Sequence, residues 1–434
     1  MNETKKLTNK KVLLVIPVLL IIIGVLVVLS NNLKNTSSSS KKTTVSSSET
    51  ITKGGSYKIT GDSSCVVINT SEDVEIELEN ATITCDNGPA INVESAGKVS
   101  ITLTGENKIE STTTEELDGA IYSTDDLIFS GSGSLSITSN NDGIVSKDNL
   151  IINGGTYTIN SVDDGIKGRD SVEISDGTFN ITSGGDGIKS TNDEDSEKGF
   201  ITITGGKFNI NSVMDGIQAE TNLTIKEGTF DIKTTGSSDS SKGLKAVVLI
   251  TIDGGTYNID TTDDGIHSNG NVVINNGELT ISSKDDGVHA DGMVEVNDGT
   301  LNITASEGIE GTYVKINGGK NSINATDDGI NAGNKSNEYS VKIEINGGYT
   351  KIDMGQGDTD AIDANGDILI TGGTLDITAQ SPFDYDGTAN YTGGTIIVNG
   401  STTNQITNQM MGGPGGNMGG PNENMNRGQR SGMR

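Results

Sequence analysis

Thr262-Asp263-Asp264-Gly265-Ile266-His267-Ser268 is followed, one short interval later, by Lys284-Asp285-Asp286-Gly287-Val288-His289-Ala290. The echo runs through the chain. Asp142-Gly143-Ile144, Asp163-Asp164-Gly165-Ile166, Asp186-Gly187-Ile188 and Asp215-Gly216-Ile217 come before it, and Asp327-Asp328-Gly329-Ile330 and a weakened Asp360-Ala361-Ile362 come after. From glycine to glycine the steps are 22, 22 and 29 residues, 27 to a degenerate Lys242-Gly243-Leu244, then 22, 22, 21 and 21. A strand-like repeat of this period is the mark of a solenoid, in which each unit buries its apolar face only against its neighbours.

Between corners the chain is written in short alternating runs. Val172-Glu173-Ile174, a turn at Asp176-Gly177, and Phe179-Asn180-Ile181 lead to the next corner, and Ile201-Thr202-Ile203, Gly205-Gly206 and Phe208-Asn209-Ile210 repeat the arrangement. Three short strands per unit, with every second side chain apolar, predict an all-β fold, a parallel β-helix of about 22 residues per coil. Coils stacked at about 4.8 Å make roughly ten regular turns a rod of about 50 Å. Calcium-binding nonapeptide rolls also repeat Gly and Asp, but every nine residues, so the period excludes them.

The regular helix is expected over residues 118–403, behind a less regular cap at 50–117. Ahead of it lie a basic segment at 1–11 with Lys5, Lys6, Lys10 and Lys11, then the apolar run Val12 to Leu29. That run is long enough to span a bilayer, which predicts a transmembrane signal anchor over 12–30 with the chain beyond it outside the cell. Cleavage would make the protein secreted instead. Residues 31–49, rich in Ser, Thr, Lys and Asn, read as a flexible stalk, and the Gly-, Met- and Asn-rich tail at 404–434 has no periodicity. Insertions at 191–198, 235–241, 333–340 and around 355–359 are expected as loops.

The net charge is −29, with 59 Asp and Glu against 30 Lys and Arg. That balance argues against nucleic acid and makes divalent cations natural partners, since clustered carboxylates repel unless neutralised. Cys65 and Cys85 are the only cysteines, 20 residues apart. About one coil of separation stacks them on adjacent rungs; buried thiols are the preferred reading and a single bridge the other.

At the corner, the Ile points inward, Gly allows a backbone conformation other residues adopt at a cost, and the Asp pair is left outside the bend. Stacked coils would then form columns of carboxylates. The candidate metal ligands are Asp163, Asp164, Asp186, Asp215, Asp263, Asp264, Asp285, Asp286, Asp327 and Asp328, with Asp193 and Asp195 from the acidic insertion beyond the Asp186 corner, and the expected cofactor is Ca²⁺. Asp-Gly is also plain turn chemistry, which needs no ion. One residue past each inward apolar residue runs a second column, Lys167, Lys189, Gln218, Lys245, His267 and His289, continued by Glu310, Asn331 and Asp363. The first six are candidate carbohydrate-binding residues, suited to an acidic sugar polymer, or are an exposed strand face that tolerates any polar residue. Two imidazoles on adjacent rungs offer a transition metal two ligands, with no third evident. Tyr157, Phe179, Phe208, Phe230 and Tyr257 share one coil position, which suits a sugar-stacking platform, but their parity with the inward isoleucines favours the core.

Support for catalysis is thin. No Gly-x-Ser-x-Gly, Cys–His pair or phosphate loop occurs. A calcium-dependent lyase would need a cationic base, for which Lys189 or Lys245 would be the candidates.

Gly119-Ala120-Ile121-Tyr122-Ser123, Asn141-Asp142-Gly143-Ile144-Val145-Ser146, Asp164-Gly165-Ile166-Lys167-Gly168, Gly185-Asp186-Gly187-Ile188-Lys189-Ser190-Thr191-Asn192-Asp193-Glu194-Asp195 and Asp264-Gly265-Ile266-His267-Ser268-Asn269-Gly270 closely resemble, in that order, the carbohydrate-binding β-helix proteins of clostridia and their relatives. The match spans about residues 50 to 400. The resemblance implies a right-handed, calcium-bound parallel β-helix on the cell surface that binds cellulose and pectin-like acidic polysaccharide, similar in structure to pectate lyases without being an established lyase. Carried over position by position, it implies calcium at the Asp corners. Lys242-Gly243-Leu244 and Glu307-Gly308-Ile309 depart from the pattern. The expectation is therefore a monomeric, membrane-anchored polysaccharide-binding module, with a calcium-dependent lyase and a passive surface stalk or adhesin as the alternatives.

Overall fold

The computed structural model describes residues 42–45, 50–112, 119–237, 241–356 and 359–408. The expected anchor over 12–30 and the tail from 409 onward lie outside these residues. No helix among the described residues is long and apolar enough to cross a membrane.

The described chain is all strand and turn, and the strands stack as parallel ladders one coil apart. The corner ladder runs Ile121–Ser123, Ile144–Ser146, Ile166–Gly168, Ile188–Ser190, Ile217–Ala219, Leu244–Ala246 and Ile266–Ser268, each in register with the next. A second ladder contains Phe200–Ile203, Asn222–Ile225, Leu249–Ile252 and Asn271–Ile274. A third contains Lys207–Ser212, Thr229–Thr234, Thr256–Asp260 and Glu278–Ser282. Three parallel ladders visited in turn by one chain give the β-helix pattern the period predicted.

Parity explains the core. Ile166, Ile188, Ile217, Leu244 and Ile266 are each 0% exposed, because alternation directs one side chain of every pair into the shared interior. Tyr157, Phe179, Phe208, Phe230 and Tyr257 stack face to face inside, with ring centroids 4.7–5.0 Å apart and planes within 5° of parallel. This bears out the core reading of the aromatic column.

The corner glycines work differently from the expectation. None of Gly143, Gly165, Gly187, Gly216, Gly243, Gly265, Gly287, Gly308 or Gly329 has positive φ. What they lack is room. A Cβ on Gly187 would sit 2.4 Å from Ile210 Cγ2 and 2.5 Å from the carbonyl oxygen of Gly216 one rung on, and its equivalents meet the same two kinds of atom. The column therefore tolerates Lys or Glu in place of Asp, as at Lys242-Gly243 and Glu307-Gly308, while the glycine persists.

Two further expectations change. Cys65 and Cys85 form a disulfide, not a pair of thiols; their Cα atoms are 5.0 Å apart, close to one rung spacing, so stacking alone brings the sulfurs together. The ordered strands also begin inside the expected stalk, where Thr43–Val45 pairs with Gly55–Ser63 and Val45 is 2% exposed. At the far end Ser401–Thr403 folds back antiparallel on Thr395–Val398, and Ile406 packs against the core.

Candidate functional site

Two side-chain columns lie together at the corner. In the first, Asp142, Asp164, Asp186, Asp215, Asp264 and Asp286 are 0–5% exposed. The sequence reading left both aspartates of each doublet outside; the structure turns the second one in, leaving Asp163, Asp285 and Asp327 exposed, while Asp263 is itself buried. The cause is a hydrogen bond across rungs. The amides of Asp164, Asp186, Asp215 and Lys242 donate, each at 2.8 Å, to Oδ1 of Asp142, Asp164, Asp186 and Asp215 respectively. Asp264 receives the Asp286 amide at 3.1 Å, and Asp328 that of Asp360 at 3.2 Å. Each carboxylate thus satisfies a buried donor one coil away, which is worth more than a turn residue alone would give.

The second oxygen faces the second column. Lys167 Nζ lies 2.9 Å from Asp142 Oδ2 and 3.2 Å from Asp164 Oδ2, Lys189 Nζ 2.6 Å from Asp186 Oδ2, and Lys245 Nζ 3.5 Å from Asp215 Oδ2. His267 Nδ1 is 2.6 Å from Asp264 Oδ2, and His289 Nδ1 is 2.7 Å from Asp286 Oδ2. Lys167, Lys189, Gln218, Lys245, His267 and His289 fall in one unbroken register, rung after rung. The structure therefore assembles all six strip residues. Their cations are already committed to the aspartates beneath them, and the five charged or imidazole side chains are only 12–23% exposed.

Electrostatics follow from that pairing. Burial pushes the Asp186 carboxyl up to about 6 even with Lys189 beside it. Burial also raises Asp264, but the hydrogen bond from His267, the His267 and His289 charges and the Asp286 amide together outweigh it and hold the group below the usual carboxylate range. Burial lowers His289, yet Asp286 and Glu310 outweigh it and lift the imidazole to about 9. The strip then changes sign, because the register continues from His289 into Glu310, Asn331, Asp363 and Asp384. There burial and the Asp363 charge push Asp328 up to about 7, and burial with Asp384 pushes Asp363 to about 6.

A cavity of about 320 Å³ opens where the sign changes, lined by the His267 and His289 rungs together with Lys242, Glu307, Glu310 and Lys335. Lys242 and Glu307 come from the two degenerate corners. Sequence reasoning set those corners aside; their departure from the repeat was itself the signal. Carboxylate oxygens gather within 4.8 Å of one another at Asp142, Asp163 and Asp164, and again at Asp263, Asp264 and Asp285. Asp142 was absent from the expected ligands.

Asp193 and Asp195 are not brought to the Asp186 corner. Their loop is pinned elsewhere, by Asn192 Nδ2 and Lys198 Nζ, each 2.6 Å from Asp170, and by Arg169 against Glu194. Asp170 belongs to a second acidic turn that the sequence reading missed, in which burial and a hydrogen bond with Asp170 raise Asp148 to about 6. Its signal was present, since Asp126, Asp148 and Asp170 also recur at 22 residues.

Fold and site together define a solenoid that carries a continuous polar strip along its corner ladder. The chain matches the family of carbohydrate-binding domain-containing proteins over residues 46–287 and 279–410, and belongs to that family. Among solved structures it is similar to one described as the polysaccharide lyase-like protein from C. thermocellum, gadolinium derivative, with 28% identity and a TM-score of 0.41 over 53% of this chain and 89% of that chain. No curated protein matches the chain.

Proposed function

We propose that this protein binds polysaccharide, an acidic pectin-like polymer or cellulose, along the strip from Lys167 to His289, on a right-handed β-helix displayed at the cell surface and stiffened by calcium. The observation that carries the reading is the unbroken register of six hydrogen-bonding side chains, one per rung, in a chain of a carbohydrate-binding family. A polymer laid along the axis meets Lys167, Lys189, Gln218 and Lys245 on successive rungs. Right-handed winding is the hand that parallel strand–crossover–strand connections take almost without exception. The Cys65–Cys85 disulfide supports an oxidising, extracellular setting.

The donor chemistry fits calcium at the two all-carboxylate groups, where Asp142, Asp163 and Asp164, and Asp263, Asp264 and Asp285, would hold the ion with oxygen ligands alone. Bound there, it would supply positive charge beside the lysines and bridge sugar carboxylates. Lys167 and Lys189 orient the buried aspartates and leave their remaining N–H donors for sugar oxygens.

Binding is favoured over lyase chemistry by the state of Lys189. Burial would lower its ammonium, but Asp186 and Asp164 hold it above the usual lysine range, the wrong direction for a general base. The test is isothermal titration of polygalacturonate and of soluble cello-oligosaccharides into the protein, with calcium and with chelator, while ultraviolet absorbance reports unsaturated uronate. Calcium-dependent heat without new absorbance supports the proposal. Growing absorbance makes the protein a lyase, and absence of heat with every sugar leaves a passive stalk.

A further inference from the structure

Histidine occurs twice in 434 residues. Both copies stand on adjacent rungs, their ring centroids 4.7 Å apart, facing the same cavity. A lysine in this column, as on the Lys167 and Lys189 rungs, neutralises the aspartate beneath it and can only donate, with no lone pair to offer at neutral pH. An imidazole can surrender its proton and present a lone pair.

The surroundings invite that exchange. His289 Nδ1 lies 2.7 Å from Asp286 Oδ2 and 3.1 Å from Glu310 Oε2, so two carboxylates from different rungs converge on one nitrogen. His267 Nδ1 is 2.6 Å from Asp264 Oδ2, and Asp264, His267 and His289 place donor atoms within 4.8 Å of one another, as do Asp286, His289 and Glu310. His289 Nε2 is buried without a hydrogen-bond partner, 3.4 Å from Asp291 Oδ1. Six carboxylates, of Asp263, Asp264, Asp285, Asp286, Glu307 and Glu310, line the cavity against the lysines Lys242 and Lys335, so the pocket carries excess negative charge. A tetrahedral zinc site, with bonds of roughly 2.0–2.1 Å, sets its donors about 3.3 Å apart, within the 4.8 Å that encloses the Asp286, His289 and Glu310 donor atoms. Calcium prefers oxygen throughout, whereas mixed imidazole and carboxylate donors suit the zinc class.

We propose that this cavity binds one transition-metal dication of the zinc class, with His289, Asp286 and Glu310 as its central donors and His267, grouped with His289 and Asp264 on the neighbouring rung, turning in as the fourth. The site differs in chemistry from the all-carboxylate corners and stands whether or not those corners hold calcium.

The test is titration of Co²⁺ into metal-free, full-length protein in a large excess of Ca²⁺, followed by visible d–d absorption, with Zn²⁺ competition as the second arm. One equivalent of Co²⁺ should bind, yield to Zn²⁺, and lose affinity roughly tenfold or more in His267→Gln and in His289→Gln. Electron paramagnetic resonance of Cu²⁺-loaded wild type, which depends on no variant folding, should show coupling to imidazole nitrogen. Displacement of Co²⁺ by Ca²⁺, equal binding by both variants, or an oxygen-only Cu²⁺ spectrum would each overturn the proposal. Polysaccharide titration on the same zinc-free sample reports on the binding strip separately, so failure of one reading leaves the other measurable.

Discussion

Replacing Gly187 by alanine adds one methyl group where two neighbours stand. The new Cβ would lie 2.4 Å from Ile210 Cγ2 and 2.5 Å from the Gly216 carbonyl oxygen, each about 1 Å inside ordinary contact. The side chain has some freedom to turn away; the carbonyl does not. Gly216 O accepts the Ile188 amide at 3.1 Å and Gly187 N donates to Asp215 O at 2.9 Å, so the clash can be relieved only by prying rungs apart. That places the cost near the upper end for overpacking, about 3 kcal/mol, or roughly a hundredfold in the local folding equilibrium. Gly88 is the control, since a Cβ there meets nothing within 4 Å. Urea unfolding by circular dichroism, with hydrogen exchange read at the Gly187 and Gly216 rungs, compares the two. Gly187→Ala should unfold at distinctly lower urea and exchange faster at those rungs, while Gly88→Ala stays within about 0.5 kcal/mol of the parent. Equal behaviour of the two variants would refute the claim that corner glycines are there for space.

Removing the Cys65–Cys85 bridge by a double alanine substitution frees a 20-residue loop and should cost about 3 kcal/mol, confined to the first coils and read by exchange there. Phe208→Ala removes the middle ring of the aromatic stack and should destabilise by about 4 kcal/mol, measured by the same urea unfolding. Burial raises the Glu344 carboxyl, but hydrogen bonds from Lys342, Asn346 and Tyr313 outweigh it and hold it at about 2. A depressed carboxyl contributes stability that is complete above its unfolded pKa, near 4.5, and is lost as pH falls through the folded value. Glu344→Gln should therefore cost about 1 kcal/mol at neutral pH, a cost that shrinks as pH falls from about 4.5 towards 2 and vanishes below it, as followed by unfolding across that window.

Much of the architecture was legible because it depends on parity and period. Ile166 and Ile188 point inward, and Phe179 and Phe208 with them, for reasons that alternation alone supplies. The direction of the second aspartate was not legible. Asp186 turns in because its Oδ1 caps the amide of Asp215, a partner 29 residues away, and recurrence in sequence reveals the spacing of such pairs without the bond that joins them. The state of Cys65 and Cys85 was hidden for a similar reason, since stacking was readable and the covalent link was not. Asp193 and Asp195 looked like ligands for Asp186 because they follow it closely. Their loop instead leans on Asp170, whose pull comes from the coil before. The cavity beside His289 escaped notice because two of its walls, Lys242 and Glu307, break the repeat that drew attention to the others.

The backward fold of Ser401–Thr403 onto Thr395–Val398 has a consequence beyond its own few hydrogen bonds. A stack of parallel strands leaves its last rung with unpaired amides and carbonyls, a template on which another chain can grow. The short reversed strand, with Ile406 packed beneath it and Asn408 donating to the Tyr385 carbonyl, occupies that template with strand of opposite direction. That one ladder is thereby capped at its last described rung, where no further parallel strand can add in register.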